Sequence, residues 1–168
     1  HIASFWSATR WNRRRRRLIF MPLQKQKEIT GHAGAVYCCA SKGNYIYTGS
    51  ADKYVTRWKI DEGIQDKFAI KFEYSVYCIE IHEQLLFVGL SDGALHVFDL
   101  EKKVELKYFT QHKEGIFSIT VNLIKNQLYV GDADGNLSIW DLKSFPVAHI
   151  IANCACNSLF NSFILFRL

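Results

Sequence analysis

His32, Thr48 and Asp52 are the residue types of an imidazole base, a hydroxyl nucleophile and an orienting carboxylate, the set that performs acyl transfer when the three meet in space. Two other sets could do chemistry. His149, Cys154 and Cys156 carry the donor atoms of a metal site, but a lone C-x-C with one upstream His lacks the second pair that structural zinc sites use. No metal and no cofactor are expected from it. Arg13, Arg14, Arg15, Arg16 and Arg17 form an unbroken basic run that could attract nucleic acid or direct nuclear import.

Charge is concentrated in that run. The first 20 residues hold six arginines and no acid, whereas residues 21 to 168 hold 15 basic and 16 acidic side chains, so the formal net charge of +5 divides into +6 and −1. Any phosphate attraction would come from the arm. The segment contains no Met before Met21, and three readings stand for it: a transit-like peptide, a nucleic-acid arm, or an extension upstream of a natural start at Met21. At the other end, residues 152–168 are apolar but studded with Asn, and no run of 18 apolar residues exists to cross a membrane as a helix.

The elements that must position the candidate residues are written three times. YTGSADKYVTRWKID from Tyr47, FVGLSDGALHVFDL from Phe87 and YVGDADGNLSIWDL from Tyr129 place Gly49, Gly89 and Gly131 at intervals of 40 and 42 residues, and Trp58, Phe98 and Trp140 at the same intervals. A fixed period of this length marks a stacked repeat. Within each unit, short apolar runs alternate with turn residues, which predicts an all-β chain of four strands per unit. Asp92-Gly93 and Asp134-Gly135 predict two-residue turns with positive φ between second and third strands. The third unit carries its two extra residues in a hairpin at Asn122 to Asn126. Cys38 and Cys78 stand one period apart and are expected to fill equivalent core positions, and an odd count of five cysteines argues against a disulfide scaffold and for a reducing, cytoplasmic setting.

With Gly31-His32 opening the first unit and Trp58-Lys59, Phe98-Asp99 and Trp140-Asp141 closing the three, the chain resembles the WD-repeat family over about residues 25–151. The resemblance implies β-propeller blades of four antiparallel strands. It divides the chain into a basic arm or extension at 1–20, a three-bladed segment at 21–151 (units of about 31–72, 73–109 and 110–151) and an unassigned tail at 152–168. It also implies a structural tetrad, His32, Thr48, Asp52 and Trp58, in which Asp bonds His, His bonds the hydroxyl and the hydroxyl bonds the indole. On the same alignment the third unit has His112, Asp134 and Trp140 with Val130 in the hydroxyl slot, and the second keeps only Asp92. A hydroxyl replaced by Val in a sibling copy reads as packing, not as a nucleophile.

Tyr37, Tyr77 and Phe117 each follow a β-branched residue at intervals of 40. The resemblance puts them at the mouth of the central channel, where they would clamp a peptide or protein partner, with Ser91 on the same rim. Three units are too few to close a ring, since propellers have four to eight blades. Gln24 to Ile29 and Val147 to Ile151 both qualify as the outer strand of the last blade, and missing blades or self-association are expected. The expected function is a non-catalytic interaction scaffold. The alternative is a nucleic-acid-associated repeat protein using the arginine arm.

Overall fold

The computed structural model describes residues 23–143 and the backbone of a last strand at Val147–Ile151. The arm with Arg13–Arg17, the side chain of His149, Cys154, Cys156 and the tail at 152–168 lie outside the described residues.

Twelve strands and no helix are present among the described residues. They form three four-stranded antiparallel sheets. Blade 1 runs β1 (Val36–Lys42), β2 (Tyr45–Ser50), β3 (Tyr54–Lys59) and β4 (Ile64–Lys71). Blade 2 runs β5 (Val76–His82), β6 (Leu85–Leu90), β7 (Leu95–Asp99) and β8 (Val104–Phe109). Blade 3 runs β9 (Ile116–Asn122), β10 (Gln127–Asp132), β11 (Leu137–Asp141) and β12 (Val147–Ile151). Each sheet is a simple meander from innermost to outermost strand, and the ring is not closed.

Burial explains the sequence texture. Blade 2 is covered on both faces, so β6 reads as a continuous apolar run, LLFVGL, with five of its six residues buried. The outermost strand of the same blade, β8, is exposed almost throughout and mixes Glu and Lys among its apolar residues, which blunts an unpaired edge. One apolar cluster joins blade 1 to blade 2 through Tyr47, Val55, Phe72, Val76, Leu86 and Val88. A second joins blade 2 to blade 3 through Phe87, Leu95, Val97, Ile116, Leu128 and Trp140. Each fully buried side chain of this size contributes roughly 1.5–3 kcal/mol.

The blades lock by a repeated knob and socket. A Cβ added to Gly49 would stand 2.4 Å from Val76 Cγ1, and one added to Gly89 would stand 2.7 Å from Ile116 Cγ2. Each glycine therefore admits the β-branched residue that opens the next blade. The two ends of the array carry the unmatched halves: Val36 is 53% exposed where Val76 and Ile116 are 0%, and Gly131 faces nothing nearer than Ser118 Cβ at 3.9 Å.

Two expectations change. Gln24 to Ile29 forms no strand, because β12 already pairs with β11 as the outer strand of blade 3; Lys27 Nζ instead donates to the carbonyls of Ile60 and Asp61 at 3.1 and 2.7 Å. The β6–β7 connection is a four-residue loop, not a two-residue turn, and only Gly93 in it takes positive φ (87°). Blade 1 has Lys53 at the matching place with φ 72°, a conformation that costs a side-chain-bearing residue about 1 kcal/mol.

Candidate protein-interaction surface

The register of the innermost strands gives Tyr37, Tyr77 and Phe117 a common physical origin. In blade 1 Val36 pairs with Ser50 and Cys38 with Gly49, so Tyr37 has no partner across the ladder. Tyr77 is skipped in the same way between Val76 and Cys78, and Phe117 between Ile116 and Ser118. Each aromatic is the extra residue of a β-bulge, a device that re-aims a side chain away from the sheet face it would otherwise share. At Val76 and Ile116 the bulge lets the β-branched residue enter the neighbouring glycine socket while the aromatic that follows turns away from it.

The three rings then form a ladder across three blades. Tyr37 meets Tyr77 edge to face at 5.4 Å between centroids, and Tyr77 meets Phe117 at 4.8 Å. Tyr37 and Phe117 remain 53% and 46% exposed. Ser91 stands beside the middle rung: its N–H donates to Ser75 O at 3.0 Å, and its carbonyl and the Tyr77 ring both border Gly115.

The hydroxyl, imidazole and carboxylate of blade 1 do meet. His32 Nδ1 lies 2.8 Å from Asp52 Oδ2, His32 Nε2 lies 2.7 Å from Thr48 Oγ1, and the Trp58 indole N–H donates to Thr48 Oγ1 at 2.6 Å. Thr56, directly across the ladder from Thr48, adds a second hydroxyl 2.9 Å from His32 Nε2. The Thr48 oxygen is thus engaged by indole, imidazole and a second hydroxyl, and the chain of bonds ends at a tryptophan where a substrate would have to sit. Sequence reasoning missed Thr56; a hydroxyl two residues before the closing tryptophan is the signal that finds it.

Blade 3 corrects the expected network in two places. The carboxylate that reaches His112 is Asp132, at 2.7 Å from Nδ1, not Asp134. The hydroxyl is not missing, because Ser138 Oγ lies 2.7 Å from His112 Nε2 and accepts the Trp140 indole N–H at 2.7 Å. Ser138 sits opposite Val130 in the ladder, so the hydroxyl has crossed from the second strand to the third with its position in space kept. Asp132 also accepts the backbone N–H groups of Asp134 and Asn136, at 3.1 and 2.8 Å, and so organises its own loop. The histidine-to-aspartate separation is 20 residues in both blades.

Blade 2 builds something else. Phe72 stands four residues before Val76, as His32 and His112 stand before Val36 and Ile116, and His96 and Phe98 take the places of Thr56 and Trp58. Phe72 packs against His96 and Phe98 at 5.1 and 5.9 Å, and His96 Nδ1 turns to Glu105 Oε1 at 2.7 Å. Asp92 keeps only its loop bond, accepting the Ala94 N–H at 3.2 Å.

Electrostatics separate these environments. Burial alone pushes the Asp52 and Asp132 carboxyls up, but bonds from His32, Ala33 and Tyr54 in one case, and from His112 and Asn136 in the other, outweigh it and hold both below the usual carboxylate range. Burial pushes the Cys38 thiol up to about 12 and raises Cys78 well above its ordinary value. These thiols are core filler, Cys78 donating to the Ile116 carbonyl at 3.1 Å. Among the described residues no group of three His, Cys, Asp or Glu could hold a metal ion.

Three meander sheets docked glycine to valine, each edge closed where possible by a carboxylate–imidazole–hydroxyl–indole chain, define a β-propeller of the WD type. The profile described as WD domain, G-beta repeat matches residues 23–59 and 103–141, so the chain carries WD repeats, and its blades have the fold of WD40 β-propellers. Human DDB1- and CUL4-associated factor 5 is 23% identical over 132 residues, 72% of this chain and 14% of that protein. Transcription initiation factor TFIID subunit 5 of Caenorhabditis elegans is 30% identical over 110 residues, 64% of this chain and 17% of that protein. Of solved structures, the RRP9 WD40 repeats match with a TM-score of 0.68 at 16% identity, over 74% of this chain and 41% of that one. The chain spans less than a fifth of the length of these curated relatives. WD-repeat propellers generally serve as interaction scaffolds and are typically not enzymes.

Proposed function

We propose that this chain is a non-catalytic scaffold that binds a peptide or protein through the ladder Tyr37–Tyr77–Phe117, with Ser91 at its edge. The observation that carries the reading is the ladder itself: three aromatics from three blades in ring contact, the outer two exposed and the middle one half-buried between them, the kind of rigid apolar surface that dominates binding energy at interfaces. A peptide selected from a random displayed library on the full chain supplies the probe. Replacing all three rings by Ala should weaken that peptide at least tenfold by calorimetry, and unchanged affinity would overturn the assignment.

The open flanks belong to the same proposal. The exposed Val36 and the empty Gly131 are the knob and socket of one further interface, which we assign to another blade, from a longer chain or from a second copy. Light scattering of the full chain against concentration distinguishes the two, and Val36→Asp should abolish any association between copies. A second reading rests on the acid-free arm: chains starting at His1 and at Met21 should differ in RNA or DNA affinity with a steep salt slope if Arg13–Arg17 bind phosphate. The free thiols Cys38, Cys39 and Cys78 support a cytoplasmic setting.

A further inference from the structure

The loss of the histidine network in blade 2 leaves space that blade 3 does not have. Between blades 2 and 3, His112, Asp132 and Ser138 are buried, and Trp140 lies on Phe109 at 4.6 Å. Between blades 1 and 2 the corresponding place is a groove of about 690 Å³ bordered by β4, the β4–β5 and β6–β7 loops, β7 and β8. Five rings line it: Phe72, Tyr74, His96, Phe98 and Tyr108. Tyr74 and Tyr108 are 47% and 55% exposed, and Tyr108 leans on His96 at 4.7 Å.

The polar lining is mostly acidic. Glu73, Asp92 and Glu105 border the groove, and among the described residues no lysine or arginine pairs with any of them. Lys71 is the one lysine at the margin, and its ammonium lies over the Tyr54 ring at 5.9 Å. Glu105 also holds His96 Nδ1 at 2.7 Å, which fixes the imidazole beside the Tyr108 ring. Aromatic faces beside carboxylates that no lysine or arginine neutralises attract a cation through the ring quadrupole and through charge together.

The molecule already uses that chemistry at the other end of the same interface. Arg57 holds its guanidinium 4.4 Å from the Tyr45 centroid and 5.0 Å from Phe68, and pairs with Asp66. At the positions matching Arg57 the other blades carry Val97 and Ile139, so this internal cation belongs to blade 1 alone. Both walls of the groove come from this chain, and it is complete whatever closes the ring.

We propose that the groove between blades 1 and 2 binds the arginine or lysine side chain of a basic peptide, seated against Tyr74, His96 and Tyr108 with Asp92 and Glu105 as counter-charges. This site is distinct from the aromatic ladder and stands or falls without it. The test titrates the full chain with acetyl-Gly-Arg-Gly-amide, acetyl-Gly-Lys-Gly-amide, acetyl-Gly-Gln-Gly-amide and acetyl-Gly-Glu-Gly-amide, read by NMR shifts of the aromatic rings. The two basic peptides should move the Tyr74, His96 and Tyr108 signals and the other two should not. Tyr108→Leu and Asp92→Asn should each weaken the basic peptides about five- to tenfold, while Tyr37→Ala leaves them unchanged. Neither change threatens folding, because Tyr108 is half exposed and Asn retains the oxygen that caps Ala94. Equal response to the Gln peptide, tighter binding of the Glu peptide, shifts confined to the ladder, or full affinity in the Tyr108→Leu, Asp92→Asn double variant would each overturn the proposal.

Discussion

The two interfaces between blades solve one packing problem with different chemistry. Both dock a β-branched residue into a glycine socket, but the outer part of the blade 2–blade 3 interface is closed by His112, Asp132, Ser138 and Trp140, whereas the blade 1–blade 2 interface has Phe72, His96 and Phe98 there and stays partly open. A buried hydrogen-bonded network specifies one geometry and fills its space, because each member left unpaired is costly. Ring contacts are less directional and tolerate a gap. The difference teaches that the repeat preserves the dock and lets the outer edge vary, which is where a new binding surface can arise.

Breaking each interface in turn should separate these chemistries. Phe72→Ala removes a buried ring from the blade 1–blade 2 cluster and should cost about 3 to 4 kcal/mol in denaturant unfolding, with little pH dependence. Asp132→Ala strands the buried His112 and two loop N–H groups and should cost about 2 to 3 kcal/mol at neutral pH, whereas Asp134→Ala should stay within about 0.5 kcal/mol. Equal losses for the two aspartates would refute the network as drawn.

The Asp132 loss should also depend on pH. A carboxyl whose native pKa is lowered contributes stability that is complete above its unfolded value, about 3.9, and disappears as the pH falls through that value toward the lowered native one. The gap between native protein and Asp132→Ala should therefore close in acid, while the Phe72→Ala gap persists. Next in size, Gly89→Val should cost about 1 to 3 kcal/mol by overpacking against Ile116, and Gly131→Val at the open flank should stay within about 0.5 kcal/mol in the monomer. Smallest, Lys53→Gly should stabilise by about 0.5 to 1 kcal/mol by relieving its positive φ, read from the melting temperature.

Much of the fold was legible because spacing along the chain maps directly onto strands: the 40-residue period, alternation within units and the hairpin insertion all act locally. The blade 3 network was only half legible. Counting from Gly131 picks Asp134, since Asp52 and Asp92 occupy that offset, but the two-residue insertion before Gly131 means that a constant distance from the histidine picks Asp132. Ser138 was hidden because its relation to Val130 is across the ladder, not along the chain. The groove was invisible, being a comparison between two interfaces.

What the sequence by itself determined is the unit, its strands and its number, since hydrophobic period and turn residues are properties of neighbours along the chain. Tertiary structure alone decided which carboxylate meets which imidazole, that Tyr37, Tyr77 and Phe117 are bulge residues in mutual contact, and that one interface closes while the other leaves room. Those outcomes depend on register and on packing between blades, where side chains 20 to 40 residues apart compete for the same few ångströms.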